Sequence, residues 1–171
     1  MKTETLYTKR LKLTSITDKD KDDLIEIASD PMVYKSYMIP DLLTDDAKDK
    51  FFLRLKNATL SSEKICYGIY LKDKLIGFIN EVERFNDNKS IEVGYFLKEK
   101  EWNKGYATEA LSIMIKELFI QGFEEVEAAH FDFNIASGKV MMKCGMKQIE
   151  KDCMVEYRGN NYKGIYYSIK K

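Results

Sequence analysis

The sequence predicts an α/β fold built on a sheet of mixed strand sense, and three observations support this. Strand-like and helix-like segments follow in the order of a strand meander, a helix, a strand, a short helix and a late hairpin. A chain of 171 residues is long enough for a real hydrophobic core. Its composition, 44% hydrophobic and 33% charged, is typical of soluble globular proteins. With no repeat or linker in the sequence, we expect one domain over residues 1–171.

The first third of the chain is predicted to hold one strand and two helices. Apolar and polar residues alternate over residues 11–16, as they do in a strand with one buried face. Thr17-Asp-Lys-Asp then caps a helix over about residues 19–29, which ends at Asp30-Pro31 because the residue before a proline disfavours helical geometry. Thr44-Asp-Asp starts a second helix that runs to roughly Leu60.

The rest of the chain supplies the other strands and helices. Two apolar strands flank Lys72-Asp-Lys as a hairpin, and Asn86-Asp-Asn leads into the strand that carries Glu92. Later segments are a helix over about residues 105–121, a strand over 126–131, a short helix over 136–143 and a hairpin around 158–161. Ligands of such sheets bind where neighbouring strands separate.

Residues 102–111, Trp-Asn-Lys-Gly-Tyr-Ala-Thr-Glu-Ala-Leu, are the most informative stretch of the chain. A strand-like run precedes them and an apolar-periodic run follows. Gly105 and the small Ala107 allow a tight turn that gathers N–H groups at the start of a helix. There the unpaired N–H groups and the macrodipole favour an anion such as a pyrophosphate. An ordinary turn is the alternative interpretation of this loop alone.

These segments resemble the GNAT superfamily of acetyl-CoA-dependent N-acyltransferases, whose signature is Arg/Gln-x-x-Gly-x-Gly/Ala. The form Trp-x-x-Gly-Tyr-Ala-Thr-Glu-Ala is common in its Rim-type branch, which acetylates the N-termini of ribosomal proteins. Segments 8–13, 67–78 and 134–146 resemble further parts of the family in the same order. The resemblance implies a mixed, mostly antiparallel sheet that is splayed in the middle and flanked by about four helices.

The resemblance also implies the residues that would bind acetyl-CoA. Backbone N–H groups at Leu97, with Phe96, would face the thioester carbonyl after a bulge in the strand. Trp102 stands where Arg or Gln is commoner, so backbone contacts must replace side-chain pairing with phosphate. The implied set is Phe96, Leu97, Trp102, Asn103, Lys104, Gly105, Tyr106, Ala107, Thr108, Asn134, Ser137 and Lys143.

The attacking amine must be neutral, which calls for a general base. Glu92 is the candidate because it lies on the strand that leads to the loop, and a Glu at this position often plays that role in the family, usually through water. A surface Glu at a strand start is the alternative, and Glu81 and Glu83 are rival bases.

The departing thiolate can take a proton from a hydroxyl. Many relatives use a Tyr at the position of Met141, which cannot donate a proton. In the Rim-type branch the matching acid is Ser137, which could instead merely cap its helix. Asn134 resembles the family's hydrogen-bond partner of the pantetheine arm or of this Ser.

The expected activity is an N-acetyltransferase with direct attack of a primary amine on acetyl-CoA and no metal. A protein N-terminus is the favoured acceptor and a small-molecule amine the second. In the family, residues 30–34 and the segment to Pro40 line the acceptor cleft. The alternative function is a non-catalytic acetyl-CoA-binding sensor with the same fold.

Charge and hydropathy limit the partners and the location. Basic and acidic residues number 28 each, so no bulk positive field indicates nucleic-acid binding. No apolar run approaches the length of a membrane span, and the first residues do not resemble a signal peptide. Three cysteines without metal-ligand spacing fit a reduced cytoplasm. A monomer or homodimer is expected from the family.

Overall fold

The computed structural model describes residues 4–171, so the first three residues of the predicted domain lie outside the described part. The described residues form one main sheet, in which the strands pair in the order β1-β2-β3-β4-β5-β6-β9-β7, and β8 pairs with β9. The strands are β1 Leu6–Tyr7, β2 Leu11–Thr14, β3 Cys66–Leu71, β4 Lys74–Phe85, β5 Ser90–Leu97, β6 Glu125–Phe131, β7 Lys147–Ile149, β8 Met154–Tyr157 and β9 Asn160–Lys170. The helices are α1 Lys21–Ser29, α2 Pro31–Tyr34, α3 Asp45–Leu60, α4 Tyr106–Ile120 and α5 Ile135–Lys143.

The sheet opens between β5 and β6, which is the one parallel pair among the described strands. Their pairing runs only from Ser90 opposite Glu125 to Val93 opposite Ala128. Beyond this point β5 continues to Leu97 and β6 to Phe131 without pairing to each other. The predicted mixed, mostly antiparallel and splayed sheet is confirmed.

The helices pack on the two faces of this sheet because residues of β5 alternate between two hydrophobic cores. Val93 and Leu97 belong to the core that contains Leu111 and Met114 of α4. Phe96 belongs to the opposite core, which holds the buried residues of α1, α2 and α3. Each side of the opening in the sheet is therefore covered by its own set of helices.

The predicted elements differ from the observed ones at short segments. A 3-10 turn precedes α1, because Asp20 accepts hydrogen bonds from the Thr17 N–H and hydroxyl, at 2.7 and 2.8 Å. Pro31 does end α1, but it also starts the four-residue α2, whose cap is the Asp30 carboxylate. Strands β1 and β7, of two and three residues, are too short to give a periodic pattern.

The expected bulge near Leu97 is not where the register shifts. Gly77 pairs with Leu97 and Phe78 with Phe96 in unbroken register, whereas the irregularity in this ladder places Val82 of β4 as the extra residue. The opening arises because β5 stays paired to β4 while β6 separates from it. Within the described chain, no helix combines the length and apolar character needed to cross a membrane.

Candidate active site

Helix α4 begins directly after Gly105, whose backbone is left-handed with φ of 82°. A side chain there would be strained, which explains why the turn needs a glycine. The first helical hydrogen bond runs from the Glu109 N–H to the Gly105 carbonyl, so the N–H groups of residues 106–108 have no partner within the helix. They form, with the helix dipole, a site that favours an anion.

Arg10 braces this loop, and the sequence reasoning missed it. Its Nε donates to Glu109 at 2.8 Å, and its Nη1 donates to the Lys104 carbonyl at 3.0 Å. Its guanidinium also lies 4.4 Å from the centre of the Tyr106 ring. Burial alone would raise the pKa of Glu109, but hydrogen bonds from Thr8 and Arg10 outweigh it and lower that pKa. The Glu of the signature thus fixes the loop to the turn between β1 and β2 instead of facing a ligand.

The α4 cleft, lined by the end of β5, the 101–108 segment and α5, brings together nearly all of the predicted binding residues. Lys104 is the exception, because its ammonium pairs with the Glu101 carboxylate at 3.0 Å. The predicted residues that line the cleft are Phe96, Leu97, Trp102, Asn103, Gly105, Tyr106, Ala107, Thr108, Asn134, Ser137 and Lys143. Residues that were not predicted are Ser36, Tyr95, Glu101, Ile135, Ala136, Lys139 and Val140.

Two of these residues give the cleft positive charge. Lys139 and Lys143 are exposed, stand four residues apart on α5, and form no ion pair within the described chain. Their spacing places both ammonium groups on one face of the helix. The four-residue spacing of Lys139 and Lys143 is visible in the sequence and could have identified both, but only Lys143 was predicted to bind the cofactor.

The pairing of β5 with β4 directs the Leu97 amide into the opening of the sheet. The Lys98 N–H donates to the Ile76 carbonyl at 2.8 Å, so these two residues form a hydrogen-bonded pair. Such pairs alternate with non-hydrogen-bonded ones along an antiparallel ladder, which makes Gly77 and Leu97 a pair of the second kind. The N–H and C=O of Leu97 therefore point away from β4, while those of Phe96 face it.

Trp102 holds the end of β5 against the loop. Its indole Nε1 donates to the Leu97 carbonyl at 2.9 Å, and its ring packs against both cores. The Leu97 carbonyl is thereby occupied and its N–H remains directed into the opening. Where relatives carry Arg or Gln, this chain uses a side chain that fixes backbone geometry.

Asn134, not Ser137, caps α5. The Asn134 carboxamide oxygen accepts from the Ser137 N–H at 3.4 Å, and its Nδ2 donates to the Ser137 hydroxyl oxygen at 3.1 Å. The interpretation of Ser137 as the helix cap is therefore wrong, because the cap precedes the helix and Ser137 lies inside it. Since the Ser137 oxygen accepts from Asn134, its own proton remains available to another acceptor.

Met141 is buried in the core and does not line the cleft. A phenol that contacts Ser137 comes from a different element, β5. The Tyr95 hydroxyl donates to the Ser137 carbonyl at 3.4 Å, and burial raises its pKa well above the ordinary value for tyrosine.

A second cavity, the α3 cleft, lies on the opposite face of the sheet. Its walls are Ser36–Met38, the inner face of α3, and strands β4 and β5, with Phe131 and Val155 at the far side. Glu92 lines this cleft, and Glu83 does not. Phe96 and Ser36 line both clefts, so the two cavities meet at the opening between β5 and β6.

Glu92 is the carboxylate of the α3 cleft that remains uncommitted. Among the described residues it has no hydrogen bond or ion pair, and it is half-buried. Burial raises the pKa of Glu92; the Lys151 ammonium opposes this, while the carboxylates of Glu127 and Glu83 add to it. Such a carboxylate is a better proton acceptor near neutral pH than an exposed one.

Glu81, the rival that also lines the cleft, is fully engaged. It accepts from the Ile65 N–H at 3.0 Å and from Arg84 at 2.6 Å, and its other oxygen lies 3.2 Å from the Lys64 ammonium. Burial would raise its pKa, but these partners lower it. A carboxylate held in this way is a weak base.

Comparison with known proteins identifies the family of this chain. Residues 10–147 match the family described as acetyltransferase (GNAT) domain. An uncharacterized N-acetyltransferase of Bacillus licheniformis is 34% identical over 115 residues, which span 66% of this chain and 64% of that protein. YnaD, an uncharacterized N-acetyltransferase of Bacillus subtilis, is 31% identical over 169 residues, 95% of this chain and 94% of that protein.

The fold is also that of a solved ribosomal-protein acetyltransferase. RimL, described as a ribosomal L7/L12 α-N-protein acetyltransferase in complex with coenzyme A, superposes with a TM-score of 0.82 at 16% identity over 98% of each chain. The predicted enzyme class, N-acetyltransferase, is confirmed by the family match and the named relatives. The chain therefore belongs to the GNAT family of acetyltransferases.

Proposed function

We propose that this protein transfers the acetyl group of acetyl-CoA to a primary amine by direct attack in a ternary complex. The observation that carries the proposal is the meeting of two clefts at the opening of the sheet, where Phe96 lines both. One cleft has the chemistry of an anion site, and the other has an uncommitted carboxylate. An amine entering from the α3 cleft would meet a thioester held in the α4 cleft.

The α4 cleft fits the charged part of acetyl-CoA. The left-handed Gly105 sets the turn that presents the N–H groups at the start of α4 to a pyrophosphate, and a Cβ built there would press on Arg10 Nη2 at 3.3 Å. Lys139 and Lys143 add the positive charge that phosphates need. When bound, acetyl-CoA supplies the activated acetyl thioester.

Glu92 would accept the proton of the incoming ammonium. Glu92 and Phe96 are four residues apart on the same strand, or about 13 Å at roughly 3.3 Å per residue. The proton would therefore pass from the amine to the carboxylate through water. The raised pKa of Glu92, caused first by burial, suits a base that works near neutral pH.

Leu97 and Ser137 would act on the thioester itself. The Leu97 N–H points into the opening and would stabilise negative charge that develops on the carbonyl oxygen. The Ser137 hydroxyl, with its oxygen held by Asn134, would donate its proton to the leaving sulfur.

A protein N-terminus is the favoured acceptor, and the similarity in fold to RimL supports it. The α3 cleft is open to solvent at the exposed residues Met38 and Arg54, which leaves space for a chain that continues beyond the amine. A small-molecule amine is the second candidate, because the cleft walls are largely apolar. Cys66, Cys144 and Cys153 form no disulfide within the described residues, which supports a reduced, cytoplasmic setting.

A CoA-release assay across amine classes tests the proposal, with N-terminal peptides, polyamines and amino-acid derivatives in separate arms. Intersecting initial-rate lines are expected when amine and acetyl-CoA are varied together, since both must be bound at once. Parallel lines would indicate a covalent acetyl-enzyme and contradict direct attack. Tight acetyl-CoA binding without turnover in any arm would favour the sensor alternative instead.

A further inference from the structure

The Tyr37 side chain packs against β5 at Gly94, the one glycine between Glu92 and Phe96. A Cβ built on Gly94 would come within 2.9 Å of the Tyr37 ring and 3.0 Å of its hydroxyl oxygen. The ring also packs on Phe96, with 5.1 Å between ring centres. Alternation places Glu92, Gly94 and Phe96 on one face of the strand. The glycine therefore admits the phenol between the carboxylate and the opening of the sheet.

The hydrogen bonds of Tyr37 leave an acceptor directed into the α3 cleft. Its hydroxyl donates to the Asn80 carboxamide oxygen at 2.7 Å. The Asn80 Nδ2 in turn donates to the Glu81 carbonyl at 2.7 Å, which keeps the carboxamide oxygen facing Tyr37. The hydroxyl proton is thus committed, and the lone pairs of the Tyr37 oxygen can accept from a ligand. Burial raises the pKa of Tyr37 to about 12, so the phenol keeps this proton near neutral pH.

We propose that the Tyr37 hydroxyl oxygen accepts a hydrogen bond from the acceptor amine and turns the nitrogen lone pair towards the opening between β5 and β6. This inference rests on the proposed acetyl transfer and adds a substrate-binding residue to it. Glu92 lies two residues from Gly94, about 7 Å along the strand, which is farther than a direct hydrogen bond reaches, so the proton would travel to Glu92 through water. One N–H donates to Tyr37 while another proton leaves through that water towards Glu92.

The arrangement selects primary amines. A primary ammonium has three protons, so after one has left it can still donate to Tyr37 and present a lone pair. A secondary amine keeps one N–H, which must serve both the hydrogen bond and the later proton loss. We therefore expect primary amines to react faster than their N-methyl counterparts, and this preference should depend on Tyr37.

Tyr37→Phe is the test, because it keeps the ring on Phe96 and removes only the hydroxyl. Loss of one orienting hydrogen bond to a charged or reacting group should lower kcat/KM for the amine by about 10- to 100-fold. Most of that loss should be in kcat. The dissociation constant for CoA and the pH at which the rate rises should both stay unchanged, because the α4 cleft and Glu92 are intact.

Tyr34→Phe is the matched control, since it removes a phenol hydroxyl from the same segment. Residues 30–34 were expected to line the acceptor cleft, but of residues 30–40 only Ser36–Met38 line the α3 cleft. The Tyr34 ring instead packs against the Arg158 guanidinium at 4.1 Å. Its activity should stay within about twofold of the wild type. Gly94→Ala should displace the Tyr37 ring, reproduce the loss in kcat, and add little to it in the double variant.

The possible outcomes distinguish a failure of the proposed acetyl transfer from a failure of the proposed role of Tyr37. A wild-type enzyme that acetylates no amine overturns the proposed function and this inference together. An active wild type with a Tyr37→Phe variant of equal kcat/KM overturns the inference alone. If Tyr37→Phe is unstable, Asn80→Ala offers the second measurement, and full activity there with an unchanged preference for primary amines also overturns it.

Discussion

The two clefts that meet at the opening of the sheet are built in different ways. The α4 cleft comes from two short stretches of sequence, residues 95–108 and 134–143, together with Ser36. Its key features are local: a left-handed glycine, the free N–H groups of a helix start, and a capping Asn. The walls of the α3 cleft come from segments far apart in the chain, between Ser36 and Gly164. A cleft of the first kind is set by backbone chemistry, and one of the second kind by tertiary contacts.

One such tertiary contact is a latch between the β8–β9 hairpin and the segment after α2. The Tyr157 hydroxyl contacts the carbonyl oxygens of Tyr34 and Ile39 at 2.8 and 2.7 Å. Arg158 pairs with Asp41 at 2.5 Å and lies over the Tyr34 ring. Residues 117 or more apart in sequence thereby hold the segment that carries Tyr37. The shape of the acceptor side depends on this hairpin.

The largest effect should come from the α3 cleft. Glu92→Gln removes the proposed base, and turnover should fall by about 10²–10⁴-fold at neutral pH, the usual range for such a loss. Affinity for acetyl-CoA should barely change, because Glu92 does not line the α4 cleft. Steady-state kinetics and calorimetry on the same preparation check both statements.

Glu83→Gln is the control, since Glu83 pairs with Glu92 across β4 and β5 but lies outside the cleft. It should keep nearly full activity. If Glu92→Gln stays within a few-fold of the wild type over about pH 6–9, Glu92 is structural.

The pH dependence of the rate gives a second check on the same residue. A base must be ionised, so the rate should rise as pH passes the pKa of Glu92, which burial places above its ordinary value. Lys151→Met removes a cation that lowers this pKa, so the rise should move to higher pH. If the pH dependence of the rate is the same in Lys151→Met as in the wild type, a group other than Glu92 controls it.

The α4 cleft should be most sensitive at Gly105. A β-branched residue is strained at φ of 82°, and its Cβ would lie 3.3 Å from Nη2 of Arg10, the side chain that braces this loop. Gly105→Val should weaken acetyl-CoA binding by about 100-fold or more, equivalent to roughly 2.7 kcal/mol, while the protein stays folded.

Gly122→Val is the matched control. Gly122 is also left-handed, with φ of 102°, and lies at the other end of α4 with no atom within 4 Å of a built Cβ. It should suffer comparable backbone strain and bind acetyl-CoA normally. If Gly105→Val and Gly122→Val bind acetyl-CoA equally well, the loop at Gly105 does not bind the pyrophosphate.

Ser137→Ala should have an intermediate effect on the same cleft. Losing a proton donor to the leaving sulfur should slow turnover by roughly tenfold, about 1.4 kcal/mol in the barrier, and the loss should grow as pH rises. Melting temperature should hardly move, because Asn134 is the cap of α5.

Asn134→Ala, unlike Ser137→Ala, should lower the stability of the protein. Losing the cap should cost about 1 kcal/mol of unfolding free energy. Full activity of the Ser137→Ala variant would show that the Ser137 hydroxyl is not the proton donor to the leaving sulfur.

The α4 cleft could be predicted from the sequence better than the α3 cleft, because local signals mark its residues. Gly105 was identifiable because a glycine before a helix is a local signal, and Asn134 was identified from the family resemblance of the segment that contains it. Ser137 was misassigned as a possible cap because Ser and Asn are both capping residues, and only the observed start at Ile135 decides between them. Tyr37 and Arg158 could not be found, since no spacing in the sequence relates residue 37 to Gly94 or the hairpin to Asp41.

The smallest effect should come from the latch, and it bears most directly on the comparison of the clefts. Arg158→Gln removes the pairing with Asp41 and the packing on Tyr34, both partly exposed and each worth on the order of 1 kcal/mol or less. KM for the amine should rise by about three- to fivefold, because the segment that carries Tyr37 is held less firmly. CoA affinity should not change. Lys89→Gln, which removes an exposed pair to Glu124 outside both clefts, should leave both constants unchanged. An Arg158→Gln variant with weakened CoA binding and a normal KM for the amine would show that the hairpin shapes the α4 cleft, and the division between the two clefts would then fail.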